Sequence, residues 1–341
     1  MHAFFTKAIA AVSLGVAGVA ACTMAARADD DDHRGHRRDF DRVFVIVMEN
    51  HGFDQVIGKL NSAETAQLTP FTTQLALKFG LETFYFGVTH PSLPNYLPMI
   101  AGDFFSVQDD APSCFASDVP NAPGCHKFDA PTLVDQLEKK NISWETLQES
   151  LPGVGSLVSH FPATGPTLYA QKHNPFVYFT SVATDPARLA KIKPFDLAQL
   201  KTELKNPYQA SRFIYIVPNQ CNDEHGTTGC SDDATALANG DAFLAQTVPA
   251  IINSPAFTNR SALFITWDED DFSTNLGCCG QPGGGHVATI VVTKQGKPIK
   301  SAAPTNHYSL LATIEDGFDL PRLANAKNAT PLWDVFPSSG F

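Results

Sequence analysis

The chain is 341 residues long with 43% hydrophobic and 17% charged side chains, which excludes a disordered or low-complexity polymer. A formal net charge of -11 argues against nucleic acid as a partner, because phosphates require neutralising cations. The surplus of carboxylates suits either a solvated surface or a divalent-cation site, and composition alone favours the surface.

Residues 1–28 read MHAFFTKAIAAVSLGVAGVAACTMAARA, a lysine, a run of small apolar residues and Ala-Arg-Ala before Asp29. That pattern predicts a signal peptide cleaved after Ala28, with an apolar run too short for a stable membrane span. Val19-Ala20-Ala21-Cys22 offers the alternative of a lipid anchor at Cys22, so the expected location is secreted or periplasmic, or that of a lipoprotein. Residues 29–38, DDDDHRGHRR, are polar without apolar periodicity; a disordered linker is expected over 29–40 and one catalytic domain over 41–341.

Export changes how the cysteines are read. Beyond Cys22 lie Cys114, Cys125, Cys221, Cys230, Cys278 and Cys279, which in an oxidising compartment suggest disulfides rather than a zinc cluster. Cys114 with Cys125 and Cys221 with Cys230 would each close a short loop. Adjacent Cys278 and Cys279 rarely bond each other, so crossed pairing with the other four is equally open.

Four continuous apolar runs read as strands: VFVIVM (43–48), RFIYIV (212–217), ALFITW (262–267) and ATIVVT (288–293). They are short, rich in β-branched and aromatic residues and not alternating, as expected for strands buried on both faces of a mostly parallel sheet. Helices are predicted over 131–140, 232–252 and 307–317, giving an α/β fold with a mostly parallel central sheet flanked by helices.

Three of these strands run into polar clusters. The first ends at Glu49-Asn50-His51, the second leads into Asn222-Asp223-Glu224-His225, and the third into Asp268-Glu269-Asp270-Asp271. Ligands of open α/β sheets bind beyond the carboxyl ends of the strands, so distant segments deliver acids, an amide and imidazoles to one edge. A hard divalent cation relieves the repulsion among such carboxylates. Ser92, in THPSLPNYLPMIAGD, is placed at the N-cap of a short helix with Pro94 in its first turn, where free N–H groups favour an anion. A hydroxyl there, touching a cation, can be deprotonated and attack phosphorus. Of the other histidines, His126 and His160 read as ordinary hydrogen-bonded residues. His90 either steers Ser92 or stabilises its turn, and His307 opens a helix in a structural role.

FVIVMENHGFD, THPSLPNYLPMIAGD, VPNQCNDEHG, ITWDEDD, GGGHVATIVV and NHYSLLATIEDG resemble, in order, the phosphoesterase family of acid phosphatases and bacterial phospholipases C, within the alkaline phosphatase-like superfamily. The resemblance implies that Glu49, Asn50, Asp268 and Glu269 are metal ligands, with Asn50 also facing the phosphate. It implies that Ser92 is a metal-bound nucleophile, that Asp223, His225 and His286 lie across the phosphate as ligands or acid–base groups, and that His173, in KHNPF, binds phosphate. Asp270 and Asp271 stand where the longer phospholipases carry a histidine and glycines, which favours a compact monoesterase. The expectation is a secreted, metal-dependent acid phosphatase that hydrolyses a small phosphoester through a phosphoserine, with His225 or His286 protonating the leaving alcohol. A phospholipase C-type diesterase and a non-catalytic extracellular metal-binding protein on the same fold are the alternatives.

Overall fold

A computed structural model describes residues 39–58, 68–278, 280 and 282–338, all within one compact unit. The signal peptide, the Cys22 anchor and residues 29–38 of the linker lie outside the described residues. Among the described residues, no helix is long and apolar enough to cross a membrane.

Among the described residues there are eleven strands: β1 (Arg42–Met48), β2 (Gly80–Phe86), β3 (Trp144–Gln148), β4 (His160–Phe161), β5 (Tyr169–Ala170), β6 (Ile192–Pro194), β7 (Phe213–Val217), β8 (Ser261–Trp267), β9 (His286–Thr293), β10 (Ile299–Ser301) and β11 (Thr305–Asn306). Nine form one sheet in the order β10-β2-β9-β8-β1-β7-β3-β6, with β11 also on β2, while β4 and β5 make a separate small hairpin. Every residue of β1, β7 and β8 is buried, as their unbroken apolar runs require of strands covered on both faces. The helices expected over 131–140, 232–252 and 307–317 run over Leu133–Lys139, Asp233–Ile252 and His307–Gly317. Asp232 caps the long helix by accepting from the Thr235 N–H at 3.0 Å, and Asn306 caps the last one by accepting from the Tyr308 N–H at 3.0 Å.

The expected direction of the strand at 288–293 needs refinement. β9 runs antiparallel to both β8 and β2, whereas the other pairings of the large sheet are parallel. Among the described residues no helix lies between β8 and β9 to carry a parallel crossover, so the chain turns back into an antiparallel strand. Its reversed direction still brings the first residue of β9, His286, to the edge where the parallel strands end.

The disulfides follow the local pairing. Cys114 bonds Cys125 and Cys221 bonds Cys230, which excludes crossed pairing of these four with Cys278 and Cys279.

Candidate functional site

β1 and β8 are paired in register along seven residues, from Arg42 opposite Ser261 to Met48 opposite Trp267. Glu49 and Asp268 therefore leave the sheet side by side, and the Asp268 N–H donates to the Met48 carbonyl at 2.9 Å. On the other flank of β1, the Glu49 N–H donates to the Asp223 carbonyl at 2.7 Å, which ties in the loop after β7. Asn50 takes a left-handed backbone (φ 51°) and its N–H donates to Asp268 Oδ1 at 3.2 Å.

Ser92 arrives from β2 through the turn Gly87–Pro91. Asn95 clamps that turn: its Oδ1 accepts from the Val88 and Thr89 N–H groups at 2.8 and 3.1 Å, and its Nδ2 donates to the Thr89 carbonyl at 2.6 Å and to Glu269 Oε2 at 3.1 Å. Ser92 is the N-cap of the helix Leu93–Ala101, with a proline in its first turn, and all nine residues of that helix are buried. Its hydroxyl donates toward Glu49 Oε2 at 3.0 Å, with Glu269 Oε1 at 3.3 Å. The serine is 1% exposed, so its neighbours rather than bulk water set its reactivity.

Two residues that the sequence did not single out complete this arrangement. Lys172 Nζ lies 3.3 Å from Ser92 Oγ and donates to Asp110 Oδ2 at 2.8 Å and to His225 Nε2 at 3.1 Å. Asp110 Oδ1 in turn accepts the Leu93 N–H at 3.0 Å, so one carboxylate holds both the helix start and the ammonium. Lys172 precedes His173 in the KHNPF stretch and was visible there; nothing in the sequence around Asp110 marks it. His90, whose role was left open, sits with Nδ1 2.7 Å from Glu269 Oε2 and Nε2 3.3 Å from Asp270 Oδ1. Burial opposes its charge, but contacts to Asp270 and Glu269 outweigh that and raise its pKa to about 9, so it is an imidazolium that anchors Glu269.

The structure brings together Glu49, Asn50, Ser92, His173, Asp223, His225, Asp268 and Glu269, but not His286. The His286 ring stacks on Phe53 at 4.8 Å with its Nε2 on the Thr83 carbonyl at 3.0 Å, among Phe84 and Phe86. His173 lies between Glu49 Oε1 (3.1 Å) and Asp223 Oδ2 (3.3 Å), flat against Tyr96 at 5.4 Å. The His225 Nδ1 is fixed on the Gly226 carbonyl at 2.9 Å, which leaves Nε2 facing Lys172.

The donor chemistry fits a divalent cation. Glu49 Oε1, Asn50 Oδ1, His173 Nε2, Asp223 Oδ2 and Asp268 Oδ2 are all shut off from water without a hydrogen bond among the described residues, a costly condition that a metal ion removes. Glu49, His173 and His225 offer ligand atoms that all lie within 4.8 Å of one another. Burial drives the Glu49, Asp223 and Asp268 carboxyls upward, and mutual repulsion among them adds to this for Asp223 and Asp268. A bound cation reverses that tendency and keeps them ionised.

A model of the phosphoesterase family matches residues 65–321. The chain belongs to that family. This phosphoesterase is 30% identical over 287 residues to a phosphate-repressible acid phosphatase of Penicillium chrysogenum, covering 83% of this chain and 60% of the relative. It is 28% identical over 294 residues to a probable acid phosphatase of Kluyveromyces lactis, covering 83% of this chain and 59% of the relative. The chain thus spans about 60% of the length of these fungal relatives. A phosphatidylinositol-3-phosphatase of Mycobacterium tuberculosis is 29% identical over 299 residues, covering 87% of this chain and 83% of the relative. In fold, the phosphoesterase is similar to a Vibrio parahaemolyticus protein of the alkaline phosphatase superfamily, with a TM-score of 0.53 at 11% identity over 83% of this chain and 67% of that one. A Pseudoalteromonas sulfatase gives a TM-score of 0.52 at 11% identity over 89% and 73%. The architecture is therefore alkaline phosphatase-like, as the sequence motifs implied.

Proposed function

We propose that the chain is a metal-dependent acid phosphatase that hydrolyses small phosphate monoesters through a phosphoserine at Ser92. The observation that carries this reading is the buried Ser92 hydroxyl at a helix start, 3.0 and 3.3 Å from two carboxylates and 3.3 Å from the Lys172 ammonium. Glu49, Asn50, Asp268 and Glu269 would hold a divalent cation beside Ser92 Oγ, with His173 Nε2 on the Glu49 oxygen that faces away from the serine and Asp223 behind it on His173 Nδ1. Bound there, the cation supplies Lewis acidity, which makes the hydroxyl a nucleophile and offsets phosphoryl charge.

The protein's own part is placement and charge. Glu49 and Glu269 accept the Ser92 O–H hydrogen bond and orient the oxygen. A carboxylate of this pair takes that proton as the oxygen attacks phosphorus and returns it to Ser92 when the phosphoserine is hydrolysed. Lys172, fixed by Asp110, sets a positive charge where the phosphoryl oxygens gather negative charge. His225 has its Nδ1 tied to Gly226, and burial and Lys172 lower its pKa to about 4, so its imidazolium form belongs to acid pH. In that form Nε2 gives a proton to the leaving alcohol and then takes one back from the water that hydrolyses the phosphoserine. Microscopic reversibility gives both duties to one atom. His286, engaged by Phe53 and Thr83, receives no proton-transfer role.

We also read the chain as exported, secreted or periplasmic. Supporting this are the two disulfides, which persist in oxidising compartments. The deciding assay is hydrolysis of p-nitrophenyl phosphate across pH after chelation and return of single metals, with phosphatidylcholine as the diester control. Activity on the monoester that needs a metal and vanishes in Ser92→Ala is expected. Near wild-type activity in Ser92→Ala would overturn the assignment.

A further inference from the structure

Beneath the cluster lies a buried acid that touches none of the reacting groups. Glu224 is 1% exposed and holds a left-handed backbone (φ 82°) that a residue with a Cβ adopts at a cost. Its Oε2 accepts the Trp267 indole N–H at 2.7 Å and lies 3.8 Å from His51 Nδ1, which itself sits 3.3 Å from the Glu49 carbonyl. Its Oε1 has no hydrogen-bond partner among the described residues and faces Gly240 of the helix Asp233–Ile252. A Cβ on Gly240 would fall 2.2 Å from that oxygen, so the helix tolerates a residue of poor helical propensity where the carboxyl must fit.

This one residue links all three strand ends that carry the site, two through its side chain and the third through its own backbone. Trp267 immediately precedes Asp268, His51 follows Glu49 and Asn50, and the Glu224 backbone joins Asp223 to His225. We propose that Glu224 is a positioning residue, a buried strut seated against Gly240 that sets the spacing of the Glu49, Asp223 and Asp268 loops and thereby the affinity for a divalent cation. The cation part rests on the metal-dependent reading above. A side chain retained for stability alone would be better apolar, since burying a carboxyl is costly and removing both partners of a buried hydrogen bond is nearly neutral.

The test uses the full chain freed of metal by chelation. Glu224→Gln keeps volume and acceptor; Glu224→Leu with Trp267→Phe removes donor and acceptor together, so that no buried N–H is left unpaired. Calorimetric titration with Mn2+, Ca2+ and Zn2+, each alone, should show the double variant weaker by about tenfold or more for whichever ion the wild type binds, as loss of support behind ligands does. Glu224→Gln should stay within about threefold on the same scale, and the double variant's melting temperature within a few degrees. Without metal, hydrogen exchange at the Glu49 and Asp268 amides should quicken in the double variant and not in Glu224→Gln. Unchanged protection of these amides overturns the strut, as does wild-type affinity in the double variant. A wild type that binds none of the ions overturns the cation reading of the site, and the strut is then decided by exchange alone.

Discussion

Asp110→Asn separates charge from shape at the serine. Asparagine keeps an oxygen for the Leu93 N–H, which Asp110 Oδ1 now accepts at 3.0 Å, but turns an amide N–H toward Lys172, whose ammonium Oδ2 now accepts at 2.8 Å. The helix start is therefore conserved and one charge-assisted bond is lost, worth roughly 1.5–3 kcal/mol. If that bond serves to hold Lys172 3.3 Å from Ser92 Oγ, the same free energy appears in the barrier, a fall in kcat of about 10- to 100-fold. Steady-state kinetics on p-nitrophenyl phosphate measure it. Lys172→Met sets the ceiling, and Asp110→Asn should cost almost nothing more in that background, because the two residues act through one interaction. A full additional loss in the Lys172→Met background would refute the reasoning and place the effect in the helix start.

Glu82 is buried in β2, and burial pushes its pKa up to about 7 against the smaller opposing effect of Ser301 and Thr305. Because the folded value is raised, its contribution is complete below the unfolded carboxylate range and is lost as pH rises through about 7. Melting curves of Glu82→Gln should hence match the wild type near pH 4.5 and lie above it at pH 8; parallel curves would contradict this. Chelation should lower the melting temperature, and more so at neutral than at acid pH, since the raised pKa values of Glu49, Asp223 and Asp268 make the metal-free fold lose stability as those groups ionise. A gap that does not widen with pH argues against these three as ligands. Removing either disulfide should cost roughly 2–3 kcal/mol by loop entropy. Only loss of Cys221–Cys230, which brackets Asp223 and His225, should also cut kcat by more than the Cys114–Cys125 loss does.

Much of this arrangement is legible in the sequence for physical reasons. Strands buried on both faces must be continuously apolar, so β1, β7 and β8 are visible, and acids at their ends stand out because charge there needs a partner. The direction of β9 is not visible in its own residues, since such a strand reads alike both ways; the missing helix before it was the available signal. Lys172 and Asp110 look like any surface ion pair, and only the long loop after Gly102 and the approach of the KHNPF segment put them at Ser92. His286 shows the converse. Its place in the motif pointed to the reaction, whereas the aromatic neighbours that occupy its ring come from β2 and from Phe53.

The seven-rung ladder between β1 and β8 acts as a ruler. A slip of one residue would move Glu49 by about 3.3 Å against Asp268 and turn its side chain to the other face of the sheet. Activity is therefore a reporter of strand registry deep in the core. Substitutions among Val43, Val45, Leu263 or Ile265 that merely loosen pairing should behave as active-site lesions although they touch no reacting group, and a hunt for inactive variants would find many of them far from Ser92.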